Sequence, residues 1–81
     1  MNLVEFTEYL VKSIAKNPDM VKVSSFESDE DVTILEIIVD PDDMGVVIGR
    51  NGKNATAIRT LVQAHAYLND NKKVKINIDS F

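Results

Sequence analysis

Apolar residues near the start of the chain recur with the period of a helix. They are Leu3, Phe6, Leu10 and Ile14. Asn2 precedes this pattern and Glu5 follows it by three residues, which is the spacing of a capping box. We predict a helix over residues 2–16, because Asn17 precedes a proline and that position disfavours the helical conformation.

Two predicted strands follow, one indicated by alternation and the other by its composition. Over residues 20–28, the apolar Val21 and Val23 alternate with the polar Lys22 and Ser24, as in a half-exposed strand. Residues 32–40, VTILEIIVD, are rich in β-branched side chains and apolar at nearly every position. This predicts a strand in the middle of a sheet, covered on both faces. The polar sequence SDED at residues 28–31 predicts a turn between the two strands.

The second half of the chain predicts two helices and a last strand. The sequence DPDD at residues 40–43 ends the strand and places acidic side chains at the start of a short helix, which ends at Gly49. A longer helix follows over residues 53–68. Its predicted inward side chains are Ile58, Leu61, Val62, His65 and Leu68. The final strand covers residues 72–79, with Val74, Ile76 and Ile78 facing inward.

The order of elements is therefore α-β-β-α-α-β in one domain over residues 1–81. Strands joined through helices are expected to be parallel, whereas the first two strands form an antiparallel hairpin. We predict an α+β fold in which a three-stranded mixed sheet is packed on one side by helices.

Charge is divided unevenly along the chain. Residues 1–44 hold three basic and eleven acidic side chains, whereas residues 45–81 hold six basic and two acidic ones. The formal net charge of -4 therefore hides a cationic second half. This favours a local positive face over general affinity for polyanions. Scatter of the charges over a solvated surface is the alternative.

Composition also limits the compartment and the chemistry. The chain has no cysteine, which excludes disulfides and thiolate metal sites. Glu5 and Glu8 lie where a secretory signal would need a basic start and an apolar stretch. We therefore expect a cytoplasmic protein that neither is secreted nor spans a membrane.

A glycine-rich turn separates the two helices of the second half. Glycines at positions 45, 49 and 52 do not match the G-x-G-x-x-G of a dinucleotide site, and a helix rather than a strand precedes them. A Walker loop needs a serine or threonine after its Gly-Lys pair, but Gly52-Lys53 is followed by Asn54. Both phosphate-binding motifs are therefore excluded.

A third arrangement fits this turn. A helix, then G-x-x-G, then a helix between two strands can clamp the backbone of about four nucleotides. Gly49 and Gly52 have no Cβ, so the main chain can approach a sugar-phosphate backbone closely. Arg50 and Lys53 add positive charge beside the first amides of the second helix, where an anion is favoured.

These features resemble a known family. The α-β-β-α-α-β order is that of type II KH domains, and VIGRNGKNATAIR with the upstream PDDMG is similar to the small bacterial KH proteins of the KhpA (YlqC) family. The resemblance covers nearly the whole chain. It implies a cytoplasmic RNA-binding protein, a post-transcriptional regulator or RNA chaperone tied to cell shape or to small-RNA handling. It also implies a homodimer, or a heterodimer with a larger Jag-type KH protein (KhpB).

The resemblance assigns RNA contacts by position. Residues 49–52 would form the clamp, with Lys53 beside it. By physical inference, and not from the resemblance, Arg59 would extend the cationic face, and the pair Val47-Ile48 and the strand at 32–39 would floor a shallow groove. The predicted RNA-binding residues are Val47, Ile48, Gly49, Arg50, Asn51, Gly52, Lys53 and Arg59. Because no aromatic side chain lies in the loop, we expect weak binding of single-stranded RNA with modest base preference.

Several alternatives stay open. The alternative for the loop at residues 49–52 is a simple helix connection, although two glycines beside basic residues exceed what a helix end needs. A solvated side chain explains Arg59 equally well. Lysines at 72, 73 and 75 are typical of a shielded edge strand. The chain as a whole is alternatively a protein-interaction adaptor with a KH fold and little RNA affinity. Small residues of the predicted helix over residues 53–68 would allow close approach of a partner: Ala55, Ala57, Ala64 and Ala66.

No enzyme, metal or cofactor is expected. His65 is the only histidine, and no nucleophile accompanies it, so it is interpreted as a boundary residue. The acidic clusters at residues 29–31 and 40–43 lack the spacing and the glycine of a calcium loop. We interpret them as turn and capping residues.

Overall fold

The computed structural model describes residues 1–28 and 31–81. Its helices are α1 (Leu3–Ile14), α2 (Met44–Ile48) and α3 (Lys53–Asp70), and its strands are β1 (Lys22–Glu27), β2 (Val32–Val39) and β3 (Lys73–Ser80). The α-β-β-α-α-β order is confirmed. Residues 29 and 30, which make up half of the predicted turn and most of the first acidic cluster, lie outside the described residues.

The strands form one mixed sheet with β2 in the centre. β1 and β2 are antiparallel, with Lys22 opposite Ile38, whereas β2 and β3 are parallel, with Val32 opposite Lys73. The parallel pair is joined through α2 and α3, as predicted for a helical crossover. This is the arrangement of a type II KH fold.

Helices cover only one face of this sheet. Alternate residues of β2 are buried beneath the helices: Thr33, Leu35, Ile37 and Val39. The residues between them are half-buried, so the prediction that β2 is covered on both faces is wrong. We call the uncovered side the open face. On this open face, the apolar Ile34 and Ile38 of β2 are partly shielded by the side chains of the neighbouring strands. A continuous run of β-branched residues in β2 is therefore compatible with helices on one face of the sheet only.

Helix α1 begins at the predicted capping box. The side chain of Asn2 accepts a hydrogen bond from the amide of Glu5 at 2.8 Å, and the side chain of Glu5 accepts one from the amide of Asn2 at 3.1 Å. The helix ends two residues earlier than predicted, and its buried residues are Thr7 and Val11. Ile14 is exposed, contrary to the prediction. Thr7 is accommodated because its hydroxyl donates to the Leu3 carbonyl at 2.8 Å.

Helix α3 faces the core with a different set of residues from the predicted one. Ile58 and Val62 are buried as expected, together with Ala55 and Ala66. Two predicted core residues point outward instead, since Leu61 is 49% exposed and Leu68 is 81% exposed. The inner face advances by three or four residues from position 55, and neither leucine falls on it.

His65 lies at the border of the core, as predicted for a boundary residue. Its ring stacks on Phe6 of α1 at a centroid distance of 4.4 Å and an interplanar angle of 15°. The stack joins α1 to α3 above the sheet. Among the described residues, no helix combines the length and apolarity needed to cross a membrane.

The acidic residues before α2 have different structural roles. Asp40 caps the 3₁₀ turn Pro41–Asp43 by accepting from the Asp42 amide at 2.8 Å. Asp43 is fully buried, and its two carboxylate oxygens accept from the amides of Lys16 and Asn17 at 2.9 and 3.0 Å. The predicted capping role is confirmed for Asp40, whereas Asp43 makes no cap with its side chain and instead ties the end of α1 to the start of α2.

Candidate nucleic-acid interface

The loop between α2 and α3, residues 49–52, is called the glycine loop here. Helix α2 ends at Gly49, and Arg50–Gly52 forms one 3₁₀ turn before α3 begins at Lys53. The Gly49 amide donates to the Gly45 carbonyl at 2.9 Å, and the Gly52 amide donates to the Gly49 carbonyl at 3.1 Å. The loop is therefore a hydrogen-bonded turn with a defined conformation.

The two glycines of this loop are required for different reasons. Gly49 has a φ of 78°, and a Cβ there would lie 2.8 Å from both the backbone nitrogen and the side-chain Cγ of Asn54. Gly52 has a φ of 74°, but a Cβ would meet nothing within 4 Å. Gly49 is needed for both conformation and close packing, whereas Gly52 is needed for conformation alone.

Asn51 is the third left-handed residue of the loop, with a φ of 58° and a ψ of 27°. Asparagine tolerates this conformation better than most side chains do. Three of four consecutive residues thus have positive φ, which turns the chain sharply and leaves the side chains of Arg50 and Asn51 exposed.

Positive charge at the loop has no acidic partner in the described residues. The ion pairs of residues 1–28 and 31–81 join Lys12 to Glu8 and Lys72 to Glu27, so Arg50 and Lys53 take part in none. Gly52 occupies the N-cap of α3 and supplies no side-chain cap. The positive end of the helix dipole and the two cations therefore face solvent at one place, as an anion-binding site requires.

Val47 and Ile48 lie beneath the loop with different exposure. Val47 is 0% exposed and belongs to the core, so its side chain supports the loop from below. Ile48 is half-buried and presents part of its surface. The helix-facing side chains of β2 are also covered, and the structure does not bring that strand to an open groove with Val47.

An open groove lies instead between α3 and the edge strand β3. Its lining residues are Arg59, Thr60, Gln63, Val74 and Ile76. We call it the edge groove. Arg59 is six residues beyond Lys53 on the same helix, about 9 Å along its axis. The structure thus places the predicted Arg59 beside a partly apolar groove on the helix that starts at the glycine loop.

Gln63 holds the two sides of the edge groove together. Its side-chain amide donates to the Lys72 carbonyl and accepts from the Val74 amide, both at 3.1 Å. Sequence reasoning did not identify Gln63 or the groove, although it predicted the inward orientation of Val74 and Ile76. The unused signal was the polar set at positions 59, 60 and 63, which lies on one side of a helix.

The lysines of the last strand lie away from the loop. Lys73 and Lys75 alternate with the buried positions of β3 and therefore point to the open face. Lys72 pairs with Glu27 at 3.3 Å. This placement separates them from the glycine loop and agrees with a shielding role for the edge strand.

Comparison with protein families gives a match over nearly the whole chain. The family model described as "KhpA/KhpB, KH domain" matches residues 4–78. The matched region includes the glycine loop, Asn54 and the edge groove.

Individual relatives agree with this match. The RNA-binding protein KhpA of Clostridium perfringens is 45% identical over 74 residues, covering 91% of this chain and 96% of that protein. The RNA-binding protein KhpA of Streptomyces coelicolor is 52% identical over 62 residues, covering 76% of this chain and 77% of that protein.

Solved structures with a similar fold include Era. One is Era from Aquifex aeolicus bound to GDP.AlF4-, with a TM-score of 0.71 at 18% identity; the match covers 98% of this chain and spans 30% of Era. Another is Era in complex with MgGDPNP and nucleotides 1506-1542 of 16S ribosomal RNA, with a TM-score of 0.70, 18% identity, 96% of this chain and 29% of Era. At this identity the likeness shows a shared fold alone.

Proposed function

Because the chain belongs to the KhpA/KhpB family of KH domains, we propose that it is a non-enzymatic RNA-binding protein that holds single-stranded RNA at the glycine loop. Gly49 and Gly52 bring the main chain close to the sugar-phosphate backbone, and Arg50, Asn51 and Lys53 contact phosphates. The observation that carries this proposal is the sharp left-handed turn at the start of α3, with two exposed cations that have no acidic partner within residues 1–28 and 31–81.

Bases of the bound strand would occupy the edge groove. Val74 and Ile76 offer apolar contact, Thr60 and Gln63 offer polar groups, and Arg59 offers a guanidinium for stacking or phosphate contact. Ile48 contributes surface at the loop end, whereas the buried Val47 acts as support. None of the described residues that line this groove is aromatic. Binding is therefore weak, with modest base preference.

The test is fluorescence anisotropy of a short single-stranded RNA pool with wild type and the Arg50→Asp/Asn51→Asp variant, at two salt concentrations. Aspartate tolerates the left-handed conformation of position 51, so the fold is retained. We expect affinity to fall by about tenfold or more, with a shallower salt dependence, because phosphate contacts release counterions.

The matched control is Lys75→Asp/Asn77→Asp. It makes the same formal change of charge at two exposed positions on the open face, away from the helices. Equal loss of affinity in both variants would show a general charge effect. Unchanged affinity in the folded loop variant would contradict the proposal.

Association with a second KH domain forms the other part of the proposed function. Four outward residues of α3 make an apolar stripe, called here the outer stripe: Ala57, Leu61, Ala64 and Leu68. Steps of four, three and four residues are those of a coiled-coil seam. Ala55 and Ala66 are buried in the core and take no part. The exposed Leu61 and Leu68 favour a homodimer, or a heterodimer with a KhpB-type protein.

Pairing would join two weak RNA sites and raise their effective concentration. A cytoplasmic post-transcriptional regulator or RNA chaperone, with a role in cell shape, fits that combination. The Leu61→Asp/Leu68→Asp variant should sediment as a monomer while each chain retains its RNA site. A wild type that sediments only as monomer at high concentration would contradict the homodimer.

The same outer stripe is the observation that favours an adaptor with little RNA affinity. A protein partner captured by wild type and by the Arg50→Asp/Asn51→Asp variant, and retained after nuclease digestion, would support this second candidate. Loss of the partner on digestion would exclude it.

A further inference from the structure

Asn54, the second residue of α3, connects both ends of the glycine loop. Its side-chain amide Nδ2 donates a hydrogen bond of 2.7 Å to the Val46 carbonyl in α2. The residue is only partly exposed, and the bond spans eight positions of the chain. The end of one helix is thus attached directly to the beginning of the next.

The Val46 carbonyl needs such a partner. Helix α2 has five residues, and the last four carbonyls of a helix have no amide partner within it. The Gly45 carbonyl is satisfied by the Gly49 amide, since the chain continues in that direction. The glycine loop then turns away, and Asn54 supplies the donor for Val46.

Asn54 also forms the surface on which Gly49 rests. A Cβ on Gly49 would lie 2.8 Å from Asn54 Cγ and 2.9 Å from its Cβ, so the Gly49 backbone passes directly over this side chain. Asn54 therefore restrains the loop twice, through the hydrogen bond to the preceding helix and through packing against the first glycine.

We propose that Asn54 is a positioning residue for RNA binding, which holds the glycine loop in its binding conformation without contacting RNA itself. This inference rests on the proposed function. Arg50, Asn51 and Gly52 lie between the two points that Asn54 joins, so its bond sets the separation of the helix ends that carry them. A loop that is already ordered loses less conformational entropy when RNA binds.

The test compares Asn54→Ala with Asn69→Ala. Asn69 is the matched control, because its Nδ2 donates to the His65 carbonyl at 2.9 Å at the opposite end of α3. Alanine favours the helix at both positions, and Asn54→Ser is a second variant, too short to reach Val46. We expect RNA affinity to fall about three- to tenfold for the Asn54 variants, the scale of one hydrogen bond, and not for Asn69→Ala.

Hydrogen exchange by NMR gives a readout without RNA. In the Asn54 variants the amides of Gly49 and Gly52 should exchange faster, while amides of the central strand, such as Leu35 and Ile37, keep their protection. Faster exchange throughout the chain would indicate a general loss of stability and would overturn a positioning role. Unchanged exchange at both glycines would overturn it as well.

A double-mutant cycle separates this inference from the proposed function. Asn54→Ala is added to Arg50→Asp/Asn51→Asp, and we expect little further loss of affinity, because Asn54 acts through the loop that the aspartates disable. Additive losses would overturn the inference and leave the RNA site in place. Wild-type affinity in the loop variant itself would overturn the proposed function and the inference together.

Discussion

The two junctions of the short helix α2 use polar residues in opposite ways. At its entry the carboxylate of Asp43 is 0% exposed and accepts two backbone hydrogen bonds from the chain after α1. At its exit Arg50 and Lys53 are exposed and have no ion-pair partner among the described residues. The entry satisfies its polar groups internally, so it contributes stability. The exit leaves them available for a ligand.

The largest effect is expected when the entry is broken. Asp43→Ala removes two hydrogen bonds to a buried carboxylate and leaves the amides of Lys16 and Asn17 without that acceptor. We expect the free energy of unfolding to fall by about 2–4 kcal/mol, measured by urea denaturation. RNA affinity measured at low temperature, where the variant remains folded, should stay near that of wild type.

Asp42→Ala is the control for Asp43→Ala, because Asp42 directly precedes Asp43 in the chain and the side chain of Asp42 is exposed. It should cost less than about 0.5 kcal/mol. Equal destabilisation by both alanines would show that the buried carboxylate has no special role at this junction.

A smaller effect on stability is expected at the exit, and it should differ between the two glycines. Gly49→Ala combines a positive φ with a collision against Asn54, so we expect a loss of about 2–3 kcal/mol together with weaker RNA binding. Gly52→Ala has a positive φ but open space, and about 1–2 kcal/mol is expected. Thermal unfolding of the two variants measures the difference.

If the two alanine variants unfold at the same temperature, the contact between Gly49 and Asn54 makes no contribution, and the loop is held by conformation alone. If Gly52→Ala is the less stable variant, the order predicted from the geometry is wrong.

The smallest effect is expected at Arg59, which extends the comparison from the exit to the edge groove. Arg59→Ala should weaken RNA binding about twofold to fivefold, the scale of one exposed charge contact, without a measurable change in stability. The slope of log K against log salt concentration should decrease in magnitude by about 1, which corresponds to the loss of one phosphate contact. Anisotropy titrations at several salt concentrations measure both quantities.

Lys22→Ala removes one exposed cation from the open face and is the control for Arg59. A comparable loss of affinity in this variant would indicate that net charge, and not the edge groove, determines the effect. In that case Arg59 would be interpreted as a solvated side chain with no specific role in RNA binding.

Local signals predicted most of the fold and the position of the glycine loop. The Asn2-Glu5 capping box, the proline after Asn17 and the glycine at the end of α2 act over a few neighbouring residues, so each can be recognised from sequence. Alternation in β3 likewise identified its inner side chains correctly.

Errors arose where several arrangements satisfy the same local pattern. A leucine two turns into an amphipathic helix suits an inner or an outer position, and only the docking of α3 on α1 and the sheet leaves Leu61 and Leu68 outside. A β-branched strand suits one covered face or two, and β2 has one. The choice depends on the number of layers, which no short window of sequence contains.

Three polar residues show most clearly what could not be predicted from the sequence: Asp43, Gln63 and Asn54. Their residue types are visible in the chain, but their partners are backbone groups 26 to 27, 9 to 11 and 8 positions away. Hydrogen bonds of this range depend on how helices and strands meet. The sequence alone therefore specified the helices, the strands, the glycine loop and its charge, whereas three-dimensional packing determined which polar groups form hydrogen bonds within the fold and which remain exposed.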